Sequence, residues 1–327
     1  MTIVREGGRG PLPLICRDRQ SPTRPDAVTA IGNFDGVHLG HRHLIEVARR
    51  EARVDGRPTA ALTFEPHPRD FFRPDTPSFR LTPEPVKLKV MGALGIDIAF
   101  VRTFDGEFAG TGAAGFVSNI LRQELRVSEV VVGTNFHFGR RREGTPDILV
   151  ELARQNGMTA RIEGPVSLDG APVSSSRIRT MLEDGDVGGA NRLLGYRWFV
   201  EGAVQHGEKR GRTLGYPTAN LRLEDGCRLR HGIYAVRVAV APGEVRDGVA
   251  SFGRRPTFDN GAPLLETFLF DFDADLYGRH IEVELVGWIR GEERFGSAED
   301  LVAAMDRDSE QARAHLARSG NDGSLIG

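Results

Sequence analysis

The sequence predicts an α/β protein in two parts: a mostly parallel sheet with helices on both faces over residues 1–186, then a smaller antiparallel β-barrel with a terminal helix over 187–327. Three observations predict it. Up to about residue 185, apolar runs of strand length alternate with helix-period stretches, which implies crossovers between parallel strands. Beyond that point, short runs rich in Val, Ile, Tyr, Phe and Trp alternate with Gly, Pro, Asn and Asp turns, the spacing of an antiparallel barrel. A length of 327 residues also suffices for about two domains, each with its own core.

In the first part, 27–32 reads as a strand, followed by a helix with Leu44, Val47, Ala48 and Ala52 on one face. Strands follow at 59–64, 97–101, 130–133 and 158–163, with helices at 85–94, 115–125, 146–155 and 175–183. Gly185-Asp186-Val187-Gly188-Gly189 reads as a hinge. In the second part, strands are expected at 198–204, 233–240, 248–252, 264–270 and 281–288. Ser297, with Asp300 three residues on, gives a capping-box start to a last helix bearing Leu301, Met305 and Ala312 on its apolar face. Residues 319–327 read as a loose tail.

Composition excludes several classes. Lys and Arg number 43 against 45 Asp and Glu, so no whole-chain basic field points to nucleic acid. No run approaches the roughly 18 apolar residues of a membrane span, and the apolar stretch near the N-terminus is too short and proline-broken for a signal sequence. The two cysteines, Cys16 and Cys227, suit a reducing, cytoplasmic setting rather than a disulfide framework or a cysteine metal cage. No feature fixes an oligomeric state.

The loop after the first strand, GNFDGVHLGH at 32–41, runs straight into a helix. Gly36 and Gly40 allow phosphates close to the backbone, and the helix start adds free N–H groups and partial positive charge. His38 and His41 can hydrogen-bond phosphates and steady the charge that builds as pyrophosphate leaves. A plain capping loop is the bland alternative. A zinc pair lacks third and fourth ligands, since His43 falls on another face of the turn.

This string resembles the HxGH motif of nucleotidylyltransferases, and its GxFDGVHxGH form is similar to that of bacterial bifunctional riboflavin kinases/FAD synthetases. Three further segments match that family in order: Phe64-Glu65-Pro66-His67-Pro68, Gly133-Thr134-Asn135-Phe136-His137-Phe138-Gly139, and Ser174-Ser175-Ser176-Arg177-Ile178-Arg179. The resemblance implies a Rossmann-like nucleotidylyltransferase fold for 1–186 that adenylylates FMN to FAD with ATP. It implies catalytic roles for His38 and His41 and nucleotide or phosphate contacts at Asn33, Phe34, Gly36, Gly40, Asn135, Ser175 and Arg177. Flavin contacts are implied at Phe64, Pro66, His67 and Asn135.

Two decoys fail on context. GTGAAG at 110–115 satisfies GxGxxG, but Asp105, Gly106 and Glu107 interrupt any strand before it. DFDADLYGRHIE at 271–282 nearly fits a calcium loop, but Leu276 stands where glycine is needed and the flanks have β periodicity.

The second part has no Walker motif, so phosphoryl transfer there needs another cradle. The candidate is GEKRGRTLGYPTAN at 207–220, in which Thr218 and Asn220 are hard oxygen ligands suited to Mg²⁺. Alone, this string reads equally well as a glycine-rich hairpin with a proline turn. With Gly232-Ile233-Tyr234-Ala235, Arg255-Pro256-Thr257-Phe258 and Glu266-Thr267, it resembles the flavokinase half of the same family. That resemblance implies a six-stranded barrel in which Glu266 deprotonates the riboflavin 5′-hydroxyl. It also implies Mg²⁺ at Thr218 and Asn220, nucleotide contacts at Gly207 and Gly211, and a flavin contact at Tyr216. Ser251-Phe252-Gly253 stands where the family usually has an asparagine before its RPTF segment, and altered ligand affinity is the expected consequence. The resemblance spans roughly residues 27–310. Two rival readings, a nucleotidylyltransferase for another phosphate and a flavin-binding regulator without catalysis, are opposed by the attached PTAN barrel and by the retention of Thr218, Asn220 and Glu266.

Overall fold

The computed structural model describes residues 12–20, 22–206, 215–254, 262–320 and 323–326. Six parallel strands form the first sheet: β1 (Leu14–Arg17), β2 (Ala27–Ile31), β3 (Thr59–Glu65), β4 (Ile98–Thr103), β5 (Val127–Gly133) and β6 (Thr159–Glu163). Their spatial order is β1-β4-β3-β2-β5-β6. Burial of β2 along its whole length (Ala27–Ile31) explains why it reads as a continuous apolar run rather than an alternating one. β2 lies between β3 and β5, so the order reverses there, and the loops leaving β2 and β5 meet at the carboxyl edge where such sheets bind ligands. Helices α1 (Leu39–Val54), α2 (Pro68–Phe72), α3 (Glu84–Ala93), α4 (Gly106–Ala109) and α5 (Ala113–Gly115, running into a π-wound segment Phe116–Glu124) connect the first five strands. α6 (Pro146–Gln155) and α7 (Ser175–Asp184) flank β6 and a small hairpin of β7 (Ser167–Leu168) and β8 (Ala171–Pro172).

The second sheet is antiparallel: β9 (Phe199–Ala203), β10 (Thr218–Arg222), β11 (Gly232–Ala241), β12 (Glu244–Arg254), β13 (Pro263–Leu269) and β14 (His280–Arg290), ordered β10-β13-β12-β11-β14-β9. The two edges approach where Gln205 N donates to Asn220 O (2.9 Å), so the barrel is nearly closed. The last helix, α9 (Ala298–Arg318), starts as the sequence predicts, with Ser297 Oγ accepting from Asp300 N.

Three features depart from the sequence reading. The glycine-rich hinge is a tight corner: Gly185 ends α7 in a left-handed conformation (φ 82°), and the Asp186 carboxylate accepts from Gly189 N to start α8 (Val187–Leu194). Helix-breaking glycines at 188 and 189 are overridden by that cap. The C-terminal tail is held rather than loose: Arg197 donates to Ser319 O and Gly320 O (2.6 and 2.8 Å), while Glu284 accepts from Ser324 Oγ and Leu325 N. The two cores are also not separate. One buried apolar cluster runs from Val28 and Phe34 through Phe79 and Leu81 to Trp198, Leu221 and Leu285, while a second lies around Leu62, Phe100 and Val130 of the parallel sheet. Phe79 and Trp198 meet edge-to-face at 5.9 Å across the join and are almost fully buried. Each such side chain stabilises by roughly 1.5–3 kcal/mol, the energetics of a core rather than of a loose linker contact.

Candidate active sites

The 32–38 loop takes its shape from buried hydrogen bonds to distant parts of the chain. Asp35, 1% exposed, accepts from Leu81 N (2.9 Å) and Thr82 N (3.1 Å), and Arg179 binds its other oxygen. Gly36, at φ +83°, donates to Thr82 Oγ1 (2.8 Å), and its carbonyl accepts from Tyr196 Oη (2.8 Å). A Cβ there would come within 2.9 Å of Leu81, so space as well as backbone conformation requires glycine. Thr63 Oγ1 ties the Asn33 carbonyl from β3 (3.1 Å).

His38 caps α1, its Nδ1 accepting from His41 N, which fixes the neutral tautomer with the proton on Nε2. The two imidazoles stack at 3.7 Å. Burial pushes the His38 pKa down to about 4 and drives His41 well below the usual histidine range, so both rings are neutral donors near pH 7. His41 Nδ1 is buried with no hydrogen-bond partner among the described residues, the kind of atom a ligand satisfies. Ser175, at the start of α7, donates to Asp35 O (2.9 Å), bringing the SSSRIR segment onto the same loop. Arg177 is turned toward the hairpin, donating to Leu168 O and Ala171 O (2.9 and 3.1 Å). Phe34 stands apart from the other predicted residues. It is fully buried and packs against His41 from inside, so its side chain supports the loop and cannot face a nucleotide.

Phe64 is the penultimate residue of β3, a cis peptide joins Glu65 to Pro66, and His67 Nδ1 caps α2 by accepting from Arg69 N. Beneath them Glu65 binds fully buried Lys87 (2.7 Å) and Arg80 (2.8 Å); burial works against ionisation, but the two cations hold the carboxyl below its ordinary range. Asn135 is exposed at the tip of the loop after β5, its carbonyl 3.1 Å from His137 Nδ1. Rings of Phe71, Phe104, Phe108 and Phe116 form a continuous belt from Phe64 to Phe138 and Phe136, with successive centroids 5.3–6.2 Å apart. This belt joins the two segments implied to touch flavin, and a flat aromatic ligand suits it. Phe71, Phe104 and Phe108 carry no motif of their own, so sequence reasoning missed them.

In the barrel, β13 alternates strictly: Leu265, Thr267 and Leu269 are buried inside, while Glu266 and Phe268 are half-buried on the outer face under α9. Register pairs Glu266 with both Asn220 on β10 and Ser251 on β12. The departure at Ser251 therefore lies beside the predicted base. A cavity of about 380 Å³ is lined by Glu266, Thr218, Ser251, Phe268, Leu301 and Met305, among others, a size suited to a ring-sized ligand. Tyr216 packs against Phe268 with the rings tilted at 57° and centroids 4.7 Å apart, and its hydroxyl binds Asp306 of α9, which puts it at the same cavity. A second cavity, about 150 Å³, is lined by Pro217, Thr218, Ala219, Asp273, Asp275 and Tyr277. Thr218 is common to both. Gly207, Gly211 and the RPTF segment lie outside the described residues.

Comparison with known proteins decides the family. Residues 20–177 match the FAD synthetase family model and residues 194–316 the riboflavin kinase model. The chain belongs to the bifunctional riboflavin kinase/FMN adenylyltransferases. It is 38% identical to the member from Haemophilus influenzae (87% of this chain, 92% of the relative) and 38% identical to that from Escherichia coli (88% and 91%). The Pseudomonas fluorescens member is 39% identical over 91% of this chain and 96% of the relative. A crystal structure from Streptococcus pneumoniae, titled a macrolide-efflux protein, superposes with a TM-score of 0.82 at 30% identity over 93% of this chain and 99% of that one. No helix among the described residues is long and apolar enough to cross a membrane. This bifunctional transferase phosphorylates riboflavin to FMN and adenylylates FMN to FAD, with the adenylylating part first and the kinase part second. Riboflavin, FMN and ATP are its small-molecule substrates.

Proposed function

We propose that the two reactions divide at residues 186/187 and assign the chemistry residue by residue. In the first part, His38, His41 and the backbone at Asn33 and Gly40 cradle the ATP phosphates, with Gly36 shaping the loop from its inner side and Ser175 closing from α7. An FMN phosphate oxygen attacks the α-phosphorus while the bond to pyrophosphate breaks. The neutral imidazole N–H groups take the growing negative charge, which strengthens their hydrogen bonds as the leaving group departs. The flavin ring lies along the phenylalanine belt beside Pro66, His67 and Asn135.

In the second part, Glu266 accepts the proton of the riboflavin 5′-hydroxyl as that oxygen attacks the γ-phosphorus of ATP. The flavin occupies the larger cavity against Tyr216 and Phe268, and the nucleotide approaches through the smaller one. The hard oxygens of Thr218 and Asn220 fit Mg²⁺, which would neutralise phosphate charge there. The observation that carries this assignment is Thr218 lining both cavities while Glu266 pairs in register with the PTAN strand. Both cysteines are unpaired and buried, which supports a cytoplasmic setting. The test is Thr218→Ala: the Mg²⁺–ATP concentration needed for half-maximal riboflavin phosphorylation should rise roughly fivefold to thirtyfold, an interaction of about 1–2 kcal/mol, while FAD formation from supplied FMN stays unchanged. An unaltered Mg²⁺–ATP dependence would remove Thr218 from the metal site.

A further inference from the structure

The 32–38 loop is held from two sides, and one of those sides belongs to the kinase half. Tyr196 lies just inside the segment matched by the riboflavin kinase model, yet its buried hydroxyl donates to Gly36 O. The same peptide unit's neighbour is fixed by Gly36 N donating to Thr82 Oγ1, so both planes around the φ +83° glycine are locked two residues before His38. Two residues further along the kinase half, the Trp198 indole donates to Leu81 O (2.7 Å). Leu81 N in turn holds Asp35, whose carbonyl receives Ser175. Arg42 of α1 reaches the Gly195 carbonyl from the other direction.

We infer that Tyr196 is a positioning residue for adenylylation: the kinase half supplies the hydrogen bond that sets the phosphate-cradle loop, so the adenylylation site is incomplete without residues 194–198. The inference rests on the reading of 32–41 as that cradle. Tyr196 touches no substrate in this scheme; it acts through Gly36 on the direction of the backbone leading into His38. Loss of one buried donor leaves the Gly36 carbonyl unsatisfied, and the peptide then turns toward water or another donor. Glu266, Thr218 and Asn220 lie instead on paired strands of the barrel.

The test uses the full chain with Tyr196→Phe, which keeps the ring and deletes only the hydroxyl. FMN-to-FAD turnover should fall roughly fivefold to thirtyfold, with the KM for FMN within twofold and riboflavin phosphorylation at the wild-type rate. Trp198→Phe, deleting the indole donor, should move the same reaction in the same direction by a smaller factor. A purely structural role would lower the melting temperature and both activities together, leaving kcat per folded molecule intact. FAD formation in Tyr196→Phe within twofold of wild type, or parallel loss of both activities, overturns the inference. His41→Ala run alongside separates the two levels: if it too leaves FAD formation intact, the cradle reading itself fails.

Discussion

The two proposed sites of this chain are built in opposite ways. The kinase site is a strand pattern: Glu266 and Phe268 point one way from β13, Leu265 and Thr267 the other, and pairing with β10 brings Asn220 opposite Glu266. The adenylylation site is a loop whose ligand-facing side exists because its other side is bonded to Thr63, Leu81, Thr82, Arg179 and Tyr196. A period-two pattern orients side chains without distant help. A strained glycine loop needs partners that over-determine it. The first kind of site is expected to tolerate loss of its neighbour, the second not.

The largest effect that would break this comparison is at the base. Glu266→Gln keeps shape but cannot accept a proton at neutral pH, and a positioned carboxylate contributes roughly 10²–10⁴-fold. Riboflavin phosphorylation should collapse by that factor while FMN supplied from outside is converted to FAD at the wild-type rate, read by chromatographic separation of flavins. Kinase turnover within a few-fold of wild type would leave Glu266 an ordinary strand residue.

Next in size is His41→Ala, which removes one donor to the departing pyrophosphate; about 10²–10³ in FAD turnover is expected for such a donor, with FMN formation untouched. Near-normal FAD synthesis would mean that the reading of this loop as the phosphate cradle is wrong.

Much of this was legible in the sequence, for a physical reason. Glycines and histidines at a helix start are a local signal, so the roles proposed for His38, His41 and Gly36 come from spacing and resemblance. Glu266 on an alternating strand, by contrast, reads alone as a solvent-face residue, and its proposed role comes from the resemblance. Asp35 reads as one more loop acid because its partners are 46, 47 and 144 residues away. Tyr196, 160 residues from Gly36, likewise gives no local sign. β10 went unread because the PTAN string looks like a turn, and its strand character comes only from pairing with β13. β1 is a four-residue edge strand beside prolines, ordered by its register with β4. α8 carries two glycines and exists through the Asp186 cap and the packing of Val187, Leu193 and Leu194.

A smaller effect sharpens the contrast through pH. His38 has a folded-state pKa of about 4 against an ordinary 6.5. Between those values the unfolded chain holds a proton that the folded chain lacks, so this contribution to stability is present above pH 6.5 and is lost as pH falls toward 4. The loss is at most about 3 kcal/mol. Unfolding followed by denaturant titration at pH 7 and pH 5 should show a smaller decrease in His38→Gln than in wild type. An equal decrease would mean that the loop histidine is not held neutral.

The most direct measurement separates the halves. Residues 187–327 and residues 1–186 are produced as independent fragments, the first assayed for riboflavin phosphorylation and the second for conversion of supplied FMN to FAD. The account predicts that the 187–327 fragment phosphorylates riboflavin at close to the full-chain rate. It predicts that the 1–186 fragment, without Tyr196 and Trp198 against its loop, makes FAD at less than about a tenth of the full-chain rate, a deficit of 1.4 kcal/mol or more. A 1–186 fragment that makes FAD as fast as the whole chain would contradict it.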